Sequence, residues 1–176
     1  MYYRFHKLLH RIYFCKNIPL KKVFALLVFA ALISLASCSI PIGVFEKNIA
    51  IPGQEWASSF RPEISFTIKD TSSLYNIYLV IRHTDAYNYN NIWVRASVSQ
   101  PGEAGSRSGQ YDLALASNDK GWYGSAMDDV YETRVLIQPQ TQFKRQGEYQ
   151  FTIEQIMRED PLKHVMNIGV RIEKAN

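Results

Sequence analysis

The first 37 residues contain no acidic side chain; Arg4, Lys7, Arg11, Lys16, Lys21 and Lys22 are the charges there. From Cys38 onward the other 14 basic residues face all 16 acidic ones. That part is therefore formally about −2, and the alkaline pI of about 9.0 belongs to the N-terminal stretch. Nucleic-acid binding does not follow from such a pI, because the residues that would release counterions from phosphates sit in a segment of a different kind. A long apolar run is also missing. Residues 23–36 form an apolar stretch of about 14, whereas a membrane-spanning helix needs about 20. Histidine is sparse: His83 and His164 stand alone after Cys38, without the paired spacing of metal sites or histidine-based catalysis, and both are predicted at the surface or in turns. No glycine-rich phosphate loop, nucleophile elbow or metalloprotease helix motif is present, and no internal repeat or low-complexity block.

Cysteine is equally scarce, with Cys15 and Cys38 alone in 176 residues. The order of basic residues, a short apolar run and then small residues is that of a secretory signal. Leu35-Ala36-Ser37-Cys38 resembles the lipobox of bacterial lipoproteins, an aliphatic residue and two small ones before a cysteine. The resemblance implies diacylglycerol on the sulfur of Cys38, with Leu35, Ala36 and Ser37 recognised by the signal peptidase. Residues 1–37 are then a cleaved signal peptide, residues 38–43 a lipidated cysteine with a short tether, and residues 44–176 a single domain. Cys15 would be discarded and Cys38 modified, leaving no thiol for a disulfide, a thiolate metal site or a cysteine nucleophile. Two or three acyl chains anchor stably where one does so marginally. Ser39 follows the cysteine and no acidic cluster succeeds it, so an outer-membrane anchor facing the periplasm is expected.

From Glu63 onward the apolar residues recur at every second position, the strand period. Ile64, Phe66 and Ile68 form one row, Ile77, Leu79 and Ile81 a second, Ile92, Val94, Ala96 and Val98 a third, and Ile168, Val170 and Ile172 another. Residues 111–116, 133–138 and 149–154 are further strands, and an irregular one is possible at 44–51. Turn-forming residues divide the runs at 70–73, 88–91, 101–102, 118–121 and 146–147. Seven or eight short strands without a long helical pattern predict an all-β fold, an antiparallel, immunoglobulin-like β-sandwich. Tyr149 after Gly147 fits two readings, a tyrosine corner of immunoglobulin-like domains or a core tyrosine after a glycine turn. In the first, Phe151 replaces the second cysteine of antibody domains. Residues 154–160 are predicted as one helical turn stopped by Pro161.

Neighbouring carboxylates at Asp128, Asp129 and Glu132 are the nearest approach to a glycosidase-like acid pair, but adjacent carboxylates usually point apart along a strand. Aromatic residues are the stronger signal. Tyr87 and Tyr89 sit in a polar loop where a core role is unnatural, Trp93 has the outward parity of its strand, and Trp122 follows a turn glycine. These four are candidate partner-binding residues, since exposed Tyr and Trp anchor interfaces and also stack on sugars. The opposing reading is that the other sheet or a neighbouring loop covers them.

Three stretches together are similar to the GldH family of gliding-motility lipoproteins of Bacteroidetes: residues 76–92 with Arg82-His83 and Tyr87-Asn88-Tyr89-Asn90-Asn91; Lys120-Gly121-Trp122-Tyr123-Gly124 with Asp128-Asp129-Val130-Tyr131; and Gln155-Ile156-Met157-Arg158-Glu159-Asp160-Pro161-Leu162 ahead of Ile168-Gly169-Val170-Arg171-Ile172-Glu173. Ser106-Arg107-Ser108-Gly109 departs from the regular apolar-acidic hairpin expected at that point. The resemblance implies a non-enzymatic component of the gliding machinery and its associated secretion apparatus, with other envelope lipoproteins and membrane proteins as partners. It implies no cofactor beyond the lipid on Cys38, no metal, no nucleic acid and no small-molecule substrate. An envelope lipoprotein that binds or processes glycans is the alternative, provided the tyrosine and tryptophan rings form an exposed row.

Overall fold

The computed structural model describes residues 43–175. Leu35, Ala36, Ser37, Cys38 and the tether to residue 42 lie outside the described residues. The strands are β1 (Val44–Ala50), β2 (Glu55–Trp56), β3 (Glu63–Ile68), β4 (Leu74–Thr84), β5 (Asn91–Ser99), β6 (Ser106–Ala114), β7 (Ala116–Ser117), β8 (Gly121–Trp122), β9 (Ser125–Met127), β10 (Val130–Gln142), β11 (Gly147–Gln155), β12 (Leu162–Lys163) and β13 (Val165–Lys174).

All strand pairs are antiparallel. One sheet has the order β1-β13-β4-β10-β9, the other β3-β11-β5-β6, and two short ribbons pair β12 with β2 and β7 with β8. The predicted rows point into one core. Ile77, Leu79 and Ile81 of β4 and Ile168, Val170 and Ile172 of β13 face Ile64, Phe66, Ile92, Val94 and Ile153 of the second sheet, all buried. Phe66 is central: its ring lies 5.8 Å from Phe45, 5.6 Å from Phe143, 5.5 Å from Tyr149 and 5.7 Å from Phe151. In β3, β4, β5 and β11 buried residues alternate with more exposed ones, and the hydrophobic alternation in the sequence gives the expected sandwich.

The tyrosine-corner reading is the one the structure supports. The buried Tyr149 hydroxyl donates to the Arg145 carbonyl at 2.9 Å and accepts from the Arg145 amide at 3.4 Å. It fixes the chain where it leaves β10 and enters β11.

Three expectations about secondary structure are corrected. Residues 154–160 form no helical turn: β11 continues to Gln155 and the chain then bends. Side-chain bonds described below hold that segment, and single-residue propensity does not report them. The strand predicted at 111–116 starts at Ser106, because the inward row of β6 opens with Arg107 and Gly109 and so lacks an apolar alternation. The irregular segment at 44–51 is a regular edge strand, seven residues in register with β13.

Two glycines of the family-like stretches are fixed by close approach. A Cβ on Gly124, at φ +89°, would overlap the Glu132 carbonyl, and one on Gly169 would overlap Asn48 and approach the Lys47 carbonyl to 2.6 Å.

Candidate functional site

The loop joining β4 to β5 crosses from one sheet to the other and carries Tyr87 and Tyr89. Alternate residues of this loop do different work. Tyr87 turns inward, 4% exposed, and its hydroxyl donates to the Asn91 carbonyl at 3.0 Å. Burial pushes its ionisation above the usual phenol range. Tyr89 turns outward, 37% exposed, and donates to the Glu159 carboxylate at 2.8 Å. That bond raises the Tyr89 pKa, because it disfavours a phenolate beside a carboxylate.

The exposed tier is a groove of about 350 Å³ lined by Tyr89, Asn91, Trp93, Ile156, Met157 and Arg158. Trp93 is 41% exposed, as its outward parity on β5 requires. Its carbonyl accepts the Ile156 amide at 3.0 Å, and its amide lies 3.2 Å from the Met157 sulfur. The segment after β11 thus runs on beside β5 as an unwound continuation of the sheet. Gln155 secures it from beneath: this side chain is 1% exposed, and its amide accepts from the Met157 amide at 2.8 Å and donates to the carbonyls of Trp56 and Glu159, each at 3.3 Å. Asp160 closes the segment by accepting from the Ser58 amide at 2.8 Å and the Ser58 hydroxyl at 2.5 Å. Those bonds hold its carboxyl below the usual range. Gln155, Glu159 and Asp160 thus each have a bonded partner in the fold, and Arg158 is exposed beside the groove.

The buried tier supports the exposed one. His83 continues the inward row of β4 and is fully buried, where the sequence predicted a surface or turn residue. Its ring centroid lies 4.5 Å from Trp122, 5.4 Å from Tyr87 and 5.7 Å from Tyr131, and Tyr87 in turn meets Tyr89 edge-on at 5.7 Å. Nδ1 lies 2.8 Å from the Thr84 carbonyl and so bears the proton of the neutral ring, while Nε2 is buried among the aromatic faces with no partner among the described residues. Burial lowers the His83 pKa. The reversal between expectation and structure has a legible cause: Ile77, Leu79, Ile81 and His83 share one parity.

Of the four sequence candidates, Tyr89 and Trp93 meet in one surface groove. Tyr87 is instead a core residue, contrary to the expectation from its polar loop, and Trp122 is half-buried against His83. The rings consequently do not form an exposed row. Met157 and Arg158 were missed as groove residues; their presence in the third family-like stretch was the available signal. Glu132 is held by Arg82 at 2.6 Å and Arg134 at 2.9 Å, and Asp128 sits in the turn between β9 and β10 at φ 55°. No cluster of metal-ligating side chains occurs among the described residues.

The groove and the start of the domain stand at opposite ends. The Gly43 carbonyl accepts the Lys174 amide at 3.1 Å beside the beginning of β4, whereas the Tyr89 loop leaves from its end. Eleven residues of β4 at about 3.3 Å each separate the two, roughly 30–35 Å.

The curated relatives agree in extent. One from Christiangramia forsetii, named a gliding motility lipoprotein GldH homolog, is 24% identical over 165 residues, covering 89% of this chain and 99% of its own. Another from Flavobacterium johnsoniae, named gliding motility lipoprotein GldH, is 23% identical over 157 residues, covering 85% and 96%. Among solved structures, the VP2 subviral particle of infectious bursal disease virus aligns with 76% of this chain and 32% of its own at 11% identity and a TM-score of 0.37, too slight a likeness to bear on function. The family model described as GldH lipoprotein matches residues 43–172, from the first described residue to the penultimate pair of β13, and the chain belongs to the GldH lipoprotein family.

Proposed function

We propose that this protein is a membrane-anchored, non-enzymatic interaction component of the gliding motility machinery and its associated secretion apparatus, held by lipid on Cys38 and docking an envelope partner in the Tyr89–Trp93 groove. The observation behind this reading is the groove itself. Two large aromatic rings are kept at the surface of a family member by a built support: Gln155 and Asp160 lock the segment on one side, and His83, Tyr87 and Trp122 fill the space beneath. Tyr and Trp rings held at low entropic cost are the usual anchors of protein interfaces, and an exposed arginine beside them adds charge recognition.

Membership of a family whose relatives are named gliding motility lipoproteins supports the machinery. The Leu35-Ala36-Ser37-Cys38 sequence supports the anchor and a place in the envelope, with the outer membrane facing the periplasm as the expected site. A non-enzymatic role is supported by a family description and relatives' names that carry no catalytic activity. Because Gly43 is at the far end from the groove, a tether from Cys38 presents Tyr89 and Trp93 away from the anchoring bilayer, toward partners that reach across the compartment.

The test is affinity purification of the lipidated protein from membranes of its own host, in the native form and as Tyr89→Ala/Trp93→Ala. Gliding or secretion components should accompany the native protein and be lost from the variant, while both forms stay membrane-bound. Equal recovery with both would refute the groove, and loss of membrane binding in Cys38→Ser is the matching test of the anchor.

A further inference from the structure

The inner row of β6 is unusual. In register with β5, Leu113 stands beside Ile92, Tyr111 beside Val94, Gly109 beside Ala96 and Arg107 beside Val98. The two smallest inward residues are thus neighbours, and beyond them the row ends in a charge rather than an apolar side chain. On the facing sheet β10 shifts register twice between Leu136 and Thr141, with Gln140 at φ 47°, so that its edge does not follow β6. A cleft of about 450 Å³ lies between these edges, with Tyr111 of β6 and Gln138 of β10 both in its lining.

Its floor is apolar, formed by Ile77, Ala96, Val98, Phe143 and Phe151. The Tyr111 ring leans over Gly109, where an added Cβ would come within 2.8 Å of its hydroxyl, and that hydroxyl accepts from the Gln138 amide at 3.3 Å. The rim has Arg107, Lys144 and Arg145 against one carboxylate, Glu103, which lies 3.5 Å from Arg145 and 3.9 Å from Arg107. An apolar floor under a net positive rim matches a molecule with a hydrocarbon body and an anionic head.

The rim stands at the Gly43 end of the sandwich. Lys174, bonded to Gly43, pairs with Asp70 at 2.6 Å; the Asp70 carbonyl accepts from the Tyr75 hydroxyl at 2.8 Å; and the Tyr75 ring packs 5.4 Å from Phe143, next to Lys144 and Arg145. From Gly43 back to Cys38 the chain reaches at most about 17 Å. A bilayer holding the acyl groups of Cys38 would therefore lie against the end bearing this cleft.

We infer that the cleft is a lipid site, taking one acyl chain of an anionic lipid from the bilayer that holds the protein. The chain lies along Ala96, Val98 and Phe151, and the acid group meets Arg107, Lys144 and Arg145. The inference rests on the lipid anchor proposed above. A side chain at 109 would meet the Tyr111 ring, within 2.8 Å of its hydroxyl, so the glycine there is what lets that ring lie beside the cleft. Bound lipid would fix the end of the domain nearest the membrane and thereby the direction in which the aromatic groove points.

The test uses the lipidated protein in phosphatidylcholine nanodiscs, with palmitate bearing a photoactivatable diazirine as the probe. Labelling should saturate at one per chain and map to peptides around residues 96–111 and 138–151. Ala96→Leu, which fills the floor, should lower that labelling at least tenfold. Arg107→Gln/Lys144→Gln, on the exposed rim, should raise the half-saturating palmitate concentration about tenfold, yet leave labelling by the uncharged photoactivatable hexadecanol unchanged. Labelling scattered over the surface, or indifferent to both variants, would overturn the inference. Intact mass reports acylation of Cys38 separately. An acylated protein with an unlabelled cleft overturns the lipid site alone, whereas an unacylated native protein overturns the anchor and with it the bilayer as the source.

Discussion

Replacing Gly169 by alanine tests the packing of the edge strand with a single methyl group. Gly169 is paired with Asn48 across β1 and β13, and a Cβ there would overlap the Asn48 amide and come to 2.6 Å from the Lys47 carbonyl. The Asn48 side chain can rotate away at the loss of its 3.3 Å bond to Glu46. The Lys47 carbonyl is backbone and cannot, so β1 must shift by several tenths of an ångström against the seven-residue ladder that holds it. Overpacking of this kind costs about 1–3 kcal/mol. For a domain of this size each kcal/mol is worth roughly 3–5 °C, giving a fall in Tm of about 3–15 °C by circular dichroism. The double variant Asn48→Ala/Gly169→Ala should recover part of the loss and not all, because the carbonyl remains. A Gly169→Ala melt within about 1 °C of the native one would refute the close approach of β1 to β13.

Two further outcomes follow from buried polar groups. Tyr149→Phe leaves the Arg145 carbonyl without its donor and should cost about 1–3 kcal/mol in a denaturant titration; an unchanged midpoint would remove the tyrosine corner from the account. His83 is held neutral in the fold by burial, while the unfolded chain protonates near the ordinary imidazole value of about 6.5. As pH falls below that value the unfolded state takes up the additional proton, so this contribution to stability is present above about pH 6.5 and declines below it. His83→Leu should therefore flatten the dependence of Tm on pH between 7 and 5, and an identical slope in both proteins would show that His83 does not titrate as argued.

The parts of this fold legible in the sequence are those where burial alternates along a strand. Ile64, Phe66 and Ile68, or Ile168, Val170 and Ile172, each face one core, and a period of two reports that directly. The start of β6 is illegible by the same test, because Arg107 and Gly109 occupy inward positions beside a cleft. Residues 154–160 misled for another reason. Their conformation is imposed by Gln155 on the carbonyl of Trp56, and by Ser58 on Asp160, contacts separated by about a hundred residues of chain. At the candidate site, the outward parity of Trp93 was readable from β5, and the inward parity of His83 was equally readable by extending the row of Ile77, Leu79 and Ile81. The division between Tyr87 and Tyr89 was not, since a loop has no fixed period: Tyr87 packs against His83 and bonds the Asn91 carbonyl, whereas Tyr89 bonds Glu159 at the surface.

Site-specific photo-cross-linking in living cells tests the central claim most directly. A photoreactive amino acid at position 93 of the lipidated protein should form one predominant adduct with a gliding or secretion component of the envelope, and the same group at position 110, on the exposed edge of β6, should not. Adducts of equal yield at both positions, or none at position 93 while the protein is folded and membrane-bound, would contradict it.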